Sequence, residues 1–159
     1  DLRRFRSLGV LASMRPIEDD LIRQWGSDPR TSRHAGVASA ALRVSNARGR
    51  LAFGSGWPSA PLDPLRGLGA LLSASAPSGA DETPGLSLKA AIDAYTAAGA
   101  WASFDEQRKG IVAPGMLADL VVLSENIFKP EAADLTETQV DVTIFDGKVV
   151  YRRGRAATD

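Results

Sequence analysis

Two short apolar runs separated by one alanine-rich segment constrain this chain more than any other feature. Gly9-Val10-Leu11-Ala12-Ser13-Met14 is nearly continuous in apolar residues and is stopped by Pro16, the pattern of a parallel strand covered on both faces. From Ser32 to about Arg48, Val37, Ala41 and Val44 recur at helical spacing on a segment of good helix propensity. Arg50 to Gly54 is strand-like again, so strand, helix and strand follow at the separation of a right-handed βαβ unit. Residues 17 to 32 read as a short helix and then a loop, with Trp25-Gly26-Ser27-Asp28-Pro29 as the turn signal. Ahead of the first strand, Asp1 to Gly9 reads as a helix already under way and ending at a glycine, which predicts a chain that begins inside a larger one.

The pattern continues for one more stretch and then changes. Asp63 is placed to cap free backbone N–H groups and Pro64 suits a first helical position, so a helix is predicted with Leu65, Leu68 and Leu72 on one face. Ser75 to Gly85 collects Ser, Pro, Gly and acidic residues, as a surface loop or linker does. Ser87 is the predicted N-cap of a further helix, with Leu88, Ile92 and Tyr95 on its apolar face and the pattern running on towards Trp101 and Phe104. Beyond Lys109 only strands are expected. Ala113-Pro114-Gly115-Met116 is a turn, Ala118 to Leu123 a strand, and Asp141–Phe145 and Lys148–Arg152 flank Asp146-Gly147, a type I′ hairpin signal. A boundary is therefore predicted near residue 108, with an α/β part over 1–108 and a small β part over 109–159.

Composition limits what such a chain can do. With 159 residues and 44% hydrophobic content there is enough material for one real core. A complete (β/α)₈ barrel takes about 250 residues. Nineteen basic and nineteen acidic residues cancel, and neither sign forms a long block, so the footprint of a nucleic-acid binder is missing and a small neutral substrate or a protein surface fits better. The chain has no cysteine, which excludes a disulfide framework and a thiolate zinc site and agrees with a reducing, cytoplasmic compartment. No stretch of about 18 apolar residues and no signal-peptide pattern is visible, so no membrane partner is expected.

The run Gly54-Ser55-Gly56-Trp57-Pro58, continuing through Ala60-Pro61-Leu62-Asp63-Pro64, resembles the G-S-D-W-P signature at the end of the last barrel strand in amidohydrolases of the family 3 type. Leu86 to Ala91, Ala94-Tyr95-Thr96 and Ala102-Ser103-Phe104 look like the final barrel helix. Lys109 to Leu123 is similar to the K-G-x-x-x-P-G-x-x-A-D-L-V-V-L stretch leading into that family's accessory β-sandwich, and Asp146 to Tyr151 to its closing hairpin. The resemblance implies the C-terminal part of a TIM-like (β/α)₈ barrel, contributing its last two strands with their helices, followed by part of a small accessory β-sandwich. The implied activity is metal-dependent hydrolysis of carbon–nitrogen bonds other than peptide bonds in a small amide-type substrate, with a divalent metal, zinc by expectation, in intact relatives.

Two departures follow from the same comparison. The family's metal ligands sit on strands that would precede Asp1, so this chain is expected to hold no metal and to lack its partner, the N-terminal part of the barrel. The acidic position of the signature is occupied by Gly56, which can neither ligate nor carry a proton. No catalytic residue is assigned, and the chain alone is expected to be inactive. The substrate-pocket candidates are Ser55, for which satisfying the turn is the favoured reading, and Trp57, which could equally pack on the following helix. His34, the only histidine, reads as a surface or capping residue, Asp63 as a helix cap and Asp119 as structural. The alternative is a non-catalytic binding or assembly module built on an amidohydrolase scaffold.

Overall fold

A computed structural model describes residues 2–18, 36–75, 86–129 and 135–154. The opening helix α1 (Leu2–Ser7) is closed by two hydrogen bonds, Gly9 N to Arg6 O at 3.2 Å and Val10 N to Phe5 O at 2.9 Å, the paired arrangement of a Schellman cap. Strand β1 (Leu11–Met14) follows, then helix α2 (Val37–Asn46), then strand β2 (Arg50–Phe53). The two strands pair in parallel, with Leu11 opposite Arg50 and Met14 opposite Phe53. The predicted strand–helix–strand unit is present. Of the helix expected from Ser32, residues 32–35 lie outside the described residues, as do His34, most of the helix and loop expected over 17–32, and residues 76–85 of the expected loop.

The expectation that the first strand is covered on both faces is corrected by the structure. Leu11, Ala12 and Met14 are only half-buried and Ser13 is exposed, whereas Leu51, Ala52 and Phe53 are buried. The reason is the distribution of helices: β2 receives α2 and the last two of the three helices that come later in the chain, and β1 receives α2.

Helix α3 (Pro64–Ser75) starts as predicted, because the Asp63 carboxylate accepts a 3.0 Å hydrogen bond from Arg66 N. Its deepest residue is Leu71, fully buried, beside Leu68, with Leu65 and Leu72 half-buried. Asp63→Ala should lower the stability of the chain by about 1 kcal/mol, read as a shift in the urea midpoint at constant slope.

Helix α4 (Leu88–Tyr95) is capped by the Ser87 hydroxyl, which accepts from Ala90 N at 3.2 Å. The predicted stripe packs against the core, and two alanines beside it are buried more deeply. Leu88, Ile92 and Tyr95 are only partly buried, and the residues in the core are Ala91 and Ala94. The helix is interrupted at Thr96, with φ −119° and ψ −85°, and a short helix α5 (Ala97–Ala102) takes over. Phe104 does not extend the apolar face: it has φ +59° and is 89% exposed.

Tyr95 stacks edge-on against Phe53, ring centroids 5.4 Å apart, and its hydroxyl lies directly against Gly67 of α3. Burial, reinforced by the nearby Asp63 carboxylate, pushes the phenol up to about 12. A raised phenol pKa means the fold prefers the neutral ring, so this contribution is complete below pH 10 and is lost as pH climbs from 10 through about 12. The loss should be about 1–2 kcal/mol, since the ring is partly in contact with solvent. Tyr95→Phe should flatten the alkaline limb of a stability–pH curve.

The segment after α5 folds back on the helices. Asp105 N bonds Ala100 O at 2.9 Å, the Asp105 carboxylate pairs with Lys109 at 2.9 Å and Arg108 at 3.3 Å, and Leu117 N bonds Arg108 O at 2.7 Å. Lys109, and then Arg108, hold that exposed carboxyl below its ordinary range. Gly110, at φ +101°, sits against Ala97 and Ala100 so closely that a Cβ there would lie 2.7 Å from Ala100 Cβ and 3.0 Å from Ala97 Cα.

Strands β3 (Leu120–Leu123), β4 (Val140–Phe145) and β5 (Lys148–Arg152) then form an antiparallel sheet in that order. The predicted hairpin turn is formed, with φ +49° at Asp146 and +74° at Gly147. The Asp119 carboxylate accepts from Asp146 N at 2.9 Å, tying β3 to the turn, which is the structural role expected of it. Ile127 and Leu135 leave this region and enter the same core as Ala41, Val44, Leu51, Phe53, Leu68 and Leu71. The sheet itself leaves Val121, Val122, Phe145, Val149, Val150 and Tyr151 exposed. Among the described residues, no helix is long and apolar enough to cross a membrane.

Candidate functional site

The parallel pairing of β1 and β2 brings two chain segments together at the C-terminal ends of the strands. Beyond the last paired residues, Gly54 N donates to Met14 O at 3.1 Å, so the strands leave the sheet in register. Arg15 follows on one side and Ser55-Gly56-Trp57-Pro58 on the other. In parallel α/β architectures this end is where functional side chains collect, because loops there converge while the strand bodies stay rigid.

The turn after β2 is held by its own polar groups. Ser55 Oγ accepts from Trp57 N at 3.2 Å, Ser59 Oγ donates to Gly56 O at 2.6 Å, and Ser59 N donates to the same carbonyl at 3.1 Å. Gly56 adopts φ +74°, a left-handed conformation in which any Cβ is disfavoured. Trp57 projects outward, 66% exposed. Ser55, Gly56 and Trp57 thus stand together on one short turn, and Asp63 lies at the start of α3 as a cap.

One residue at this end carries no motif of its own. Arg15 extends over Gly56, and a Cβ built there would meet its Cδ at 2.6 Å, Nη1 at 2.8 Å and Nε at 3.4 Å. Arg15 Nη2 also pairs with Glu18 at 3.0 Å. The place of a side chain at position 56 is therefore filled by a guanidinium. Arg15 could have been singled out from its position directly after an apolar run and before Pro16, at the functional end of a parallel strand.

Among the described residues, no group of three His, Cys, Asp or Glu side chains converges in a way that could hold a metal ion. The residues present at the strand ends, a glycine, a serine engaged in its turn, a tryptophan and an arginine, do not fit a divalent cation: they offer no carboxylate or imidazole donor. A separate groove of about 600 Å³ lies at the opposite end of β2, lined by Leu51, Leu86, Ala94 and Trp101, with the Arg50 guanidinium 4.0 Å over the Trp101 ring. It contains none of the residues of the turn.

Comparison with known proteins adds the following. Residues 1–151 match the model of the amidohydrolase family. The chain is 29% identical over 156 residues to Protein LONG AFTER FAR-RED 3 of Arabidopsis thaliana, covering 93% of this chain and 26% of that protein. It is 34% identical over 108 residues to the putative amidohydrolase YtcJ of Bacillus subtilis (strain 168), covering 64% of this chain and 20% of that one. The chain thus spans about a quarter or less of the curated relatives it matches. Among solved structures, a prolidase complexed with N-methylphosphonate-L-proline superimposes with a TM-score of 0.65 at 19% identity, over 96% of this chain and 37% of that one. An amidohydrolase from Thermotoga maritima MSB8 does so with a TM-score of 0.57 at 23% identity, over 74% and 27%. These likenesses establish a shared fold.

Proposed function

Because this chain belongs to the amidohydrolase family, we propose that it is the C-terminal part of a metal-dependent hydrolase acting on carbon–nitrogen bonds other than peptide bonds, and that it is inactive by itself. In this reading β1 and β2 are the last two strands of a TIM-like barrel, and β3 to β5 belong to an accessory sandwich beginning near residue 109. The observation that carries it is the turn after β2. It delivers position 56 to the functional end of the strands, and what stands there is a glycine beneath an arginine instead of an acid.

Further support comes from the surface. A three-stranded sheet with six large apolar side chains in water is the state of a sheet that expects cover from another segment. The metal, zinc by the same reading, and most of the substrate pocket would come from the N-terminal part of the barrel, with Ser55 and Trp57 bordering the site of a small amide. Neither nucleic acid nor membrane is a partner, and the cytoplasm is the compartment. The test is to express the chain with zinc and a panel of N-acyl and N-formyl amides. No turnover above buffer is expected; turnover that a chelator abolishes would overturn the reading.

A second reading, a non-catalytic binding or assembly module, is favoured by one feature: the two parts of the chain share a single buried core through Ile127 and Leu135. It predicts a soluble, monodisperse chain with slow amide exchange at Leu11 and Ala52. Fast exchange there would leave the fragment reading alone.

A further inference from the structure

Resting on the reading that position 56 is where relatives carry an acid, we propose that Arg15 has taken over that position, so that a carboxylate put back at 56 would be locked in an ion pair and withheld from proton transfer. The geometry is local and specific. Met14 and Gly54 are fixed by the 3.1 Å hydrogen bond at the end of the strand pair, so the stems of the two loops cannot drift apart. Between them the arginine side chain lies across the α-carbon of Gly56, with Cδ and Nη1 inside the contact distance of any added Cβ.

The arrangement differs from simple crowding, because the atoms in the way are a flexible side chain that carries the complementary charge. Glu18 engages Nη2, and the part of the arginine that faces position 56 is its Cδ and Nη1, with Nε farther off. Nη1 offers N–H donors that can form a charge-assisted hydrogen bond to a carboxylate placed there. A carboxyl group introduced at 56 would push the guanidinium aside by rotation and remain within its reach. The charged groups around it would be Arg15 and, behind it, Glu18. Arg15 is half exposed, so the expected depression of the new carboxyl is near the low end of the usual range for such pairs, about one unit. A proton carrier is most effective with a pKa near the working pH, and this one would be displaced in the wrong direction. Arg15 is thus a positioning residue for whatever stands at 56.

The test measures the side-chain carboxyl pKa by carbon-13 NMR in the full chain carrying Gly56→Asp, alone and combined with Arg15→Gln. The single variant should titrate about one unit below the ordinary aspartate value of about 3.9, and the double variant should return to it. Since the backbone at 56 is left-handed, Gly56→Asn, which tolerates that conformation equally, provides a second measurement. The aspartate variant should have a higher denaturation midpoint than the asparagine variant at pH 7 when Arg15 is present, and that advantage should vanish with Arg15→Gln and shrink to about a third at pH 3. An unshifted carboxyl in the single variant, or an Asp-over-Asn difference indifferent to Arg15, would overturn the proposal. This coupling belongs to the chain itself, whereas the hydrolase reading fails on a different result, turnover by the unaltered chain.

Discussion

Joined to the remaining strands of an active amidohydrolase, this chain should support hydrolysis roughly 10²–10⁴-fold more slowly than the relative's own C-terminal part, the usual worth of a positioned acid–base group. That range corresponds to about 3–5 kcal/mol of transition-state stabilisation. The cause is confined to one residue. The strand pair, the turn hydrogen bonds and the cap of α3 are all in place, so the fused barrel has a scaffold at this end. On the proposed reading, what it lacks is an atom able to accept a proton and hand it back. Measuring kcat/KM for the two fusions on the same amide, at saturating metal, checks this; equal values would mean that position 56 is irrelevant to the chemistry. Restoring an acid by Gly56→Asp should recover less of the deficit than pairing that change with Arg15→Gln.

Gly110→Ala should destabilise the chain by about 3 kcal/mol, from two sources acting together. A non-glycine residue at φ +101° is strained by about 1–2 kcal/mol. The new methyl group would in addition meet Ala100 Cβ at 2.7 Å, Ala97 Cα at 3.0 Å and Thr96 O at 3.3 Å. Two of those three atoms are backbone, which cannot swing away, and overpacking of this kind costs about 1–3 kcal/mol. Gly115 is the natural control: its φ of +88° is similar, but nothing lies within 4 Å of its built Cβ. Gly115→Ala should therefore show the strain alone, and the difference in urea midpoint between the two variants isolates the contact. Equal losses would mean that residues 104–117 do not rest on α5 as described.

The elements governed by local chemistry were legible in the sequence. Asp63 and Ser87 cap the helices they announce, Asp146-Gly147 makes its hairpin, and Arg50 to Phe53 is a strand beside Leu11 to Met14. The caps and the hairpin depend on residues a few positions apart, and the strand pair, whose partners lie 39 positions apart, was announced by two short apolar runs. The misreadings arose where distant packing decides. Leu88, Ile92 and Tyr95 form the stripe that packs on the core, yet the residues of this helix buried most deeply are Ala91 and Ala94, which that stripe does not include. Phe104 continued the apolar pattern on paper, but the chain turns out of α5 at Ser103 and leaves it in water. At the site, Gly56 stood out in the motif, and the arginine over it did not. Arg15 and Gly56 are 41 positions apart, and only the parallel register makes them neighbours.

Ile127 and Leu135 reach from the β region into the interior formed by the helices and β2. Genetic exchange between relatives at residue 108 would hand each descendant a plug cut for another socket. Crossovers tolerated by this architecture should lie elsewhere, and homologous segments on the two sides of 108 should be inherited as a pair.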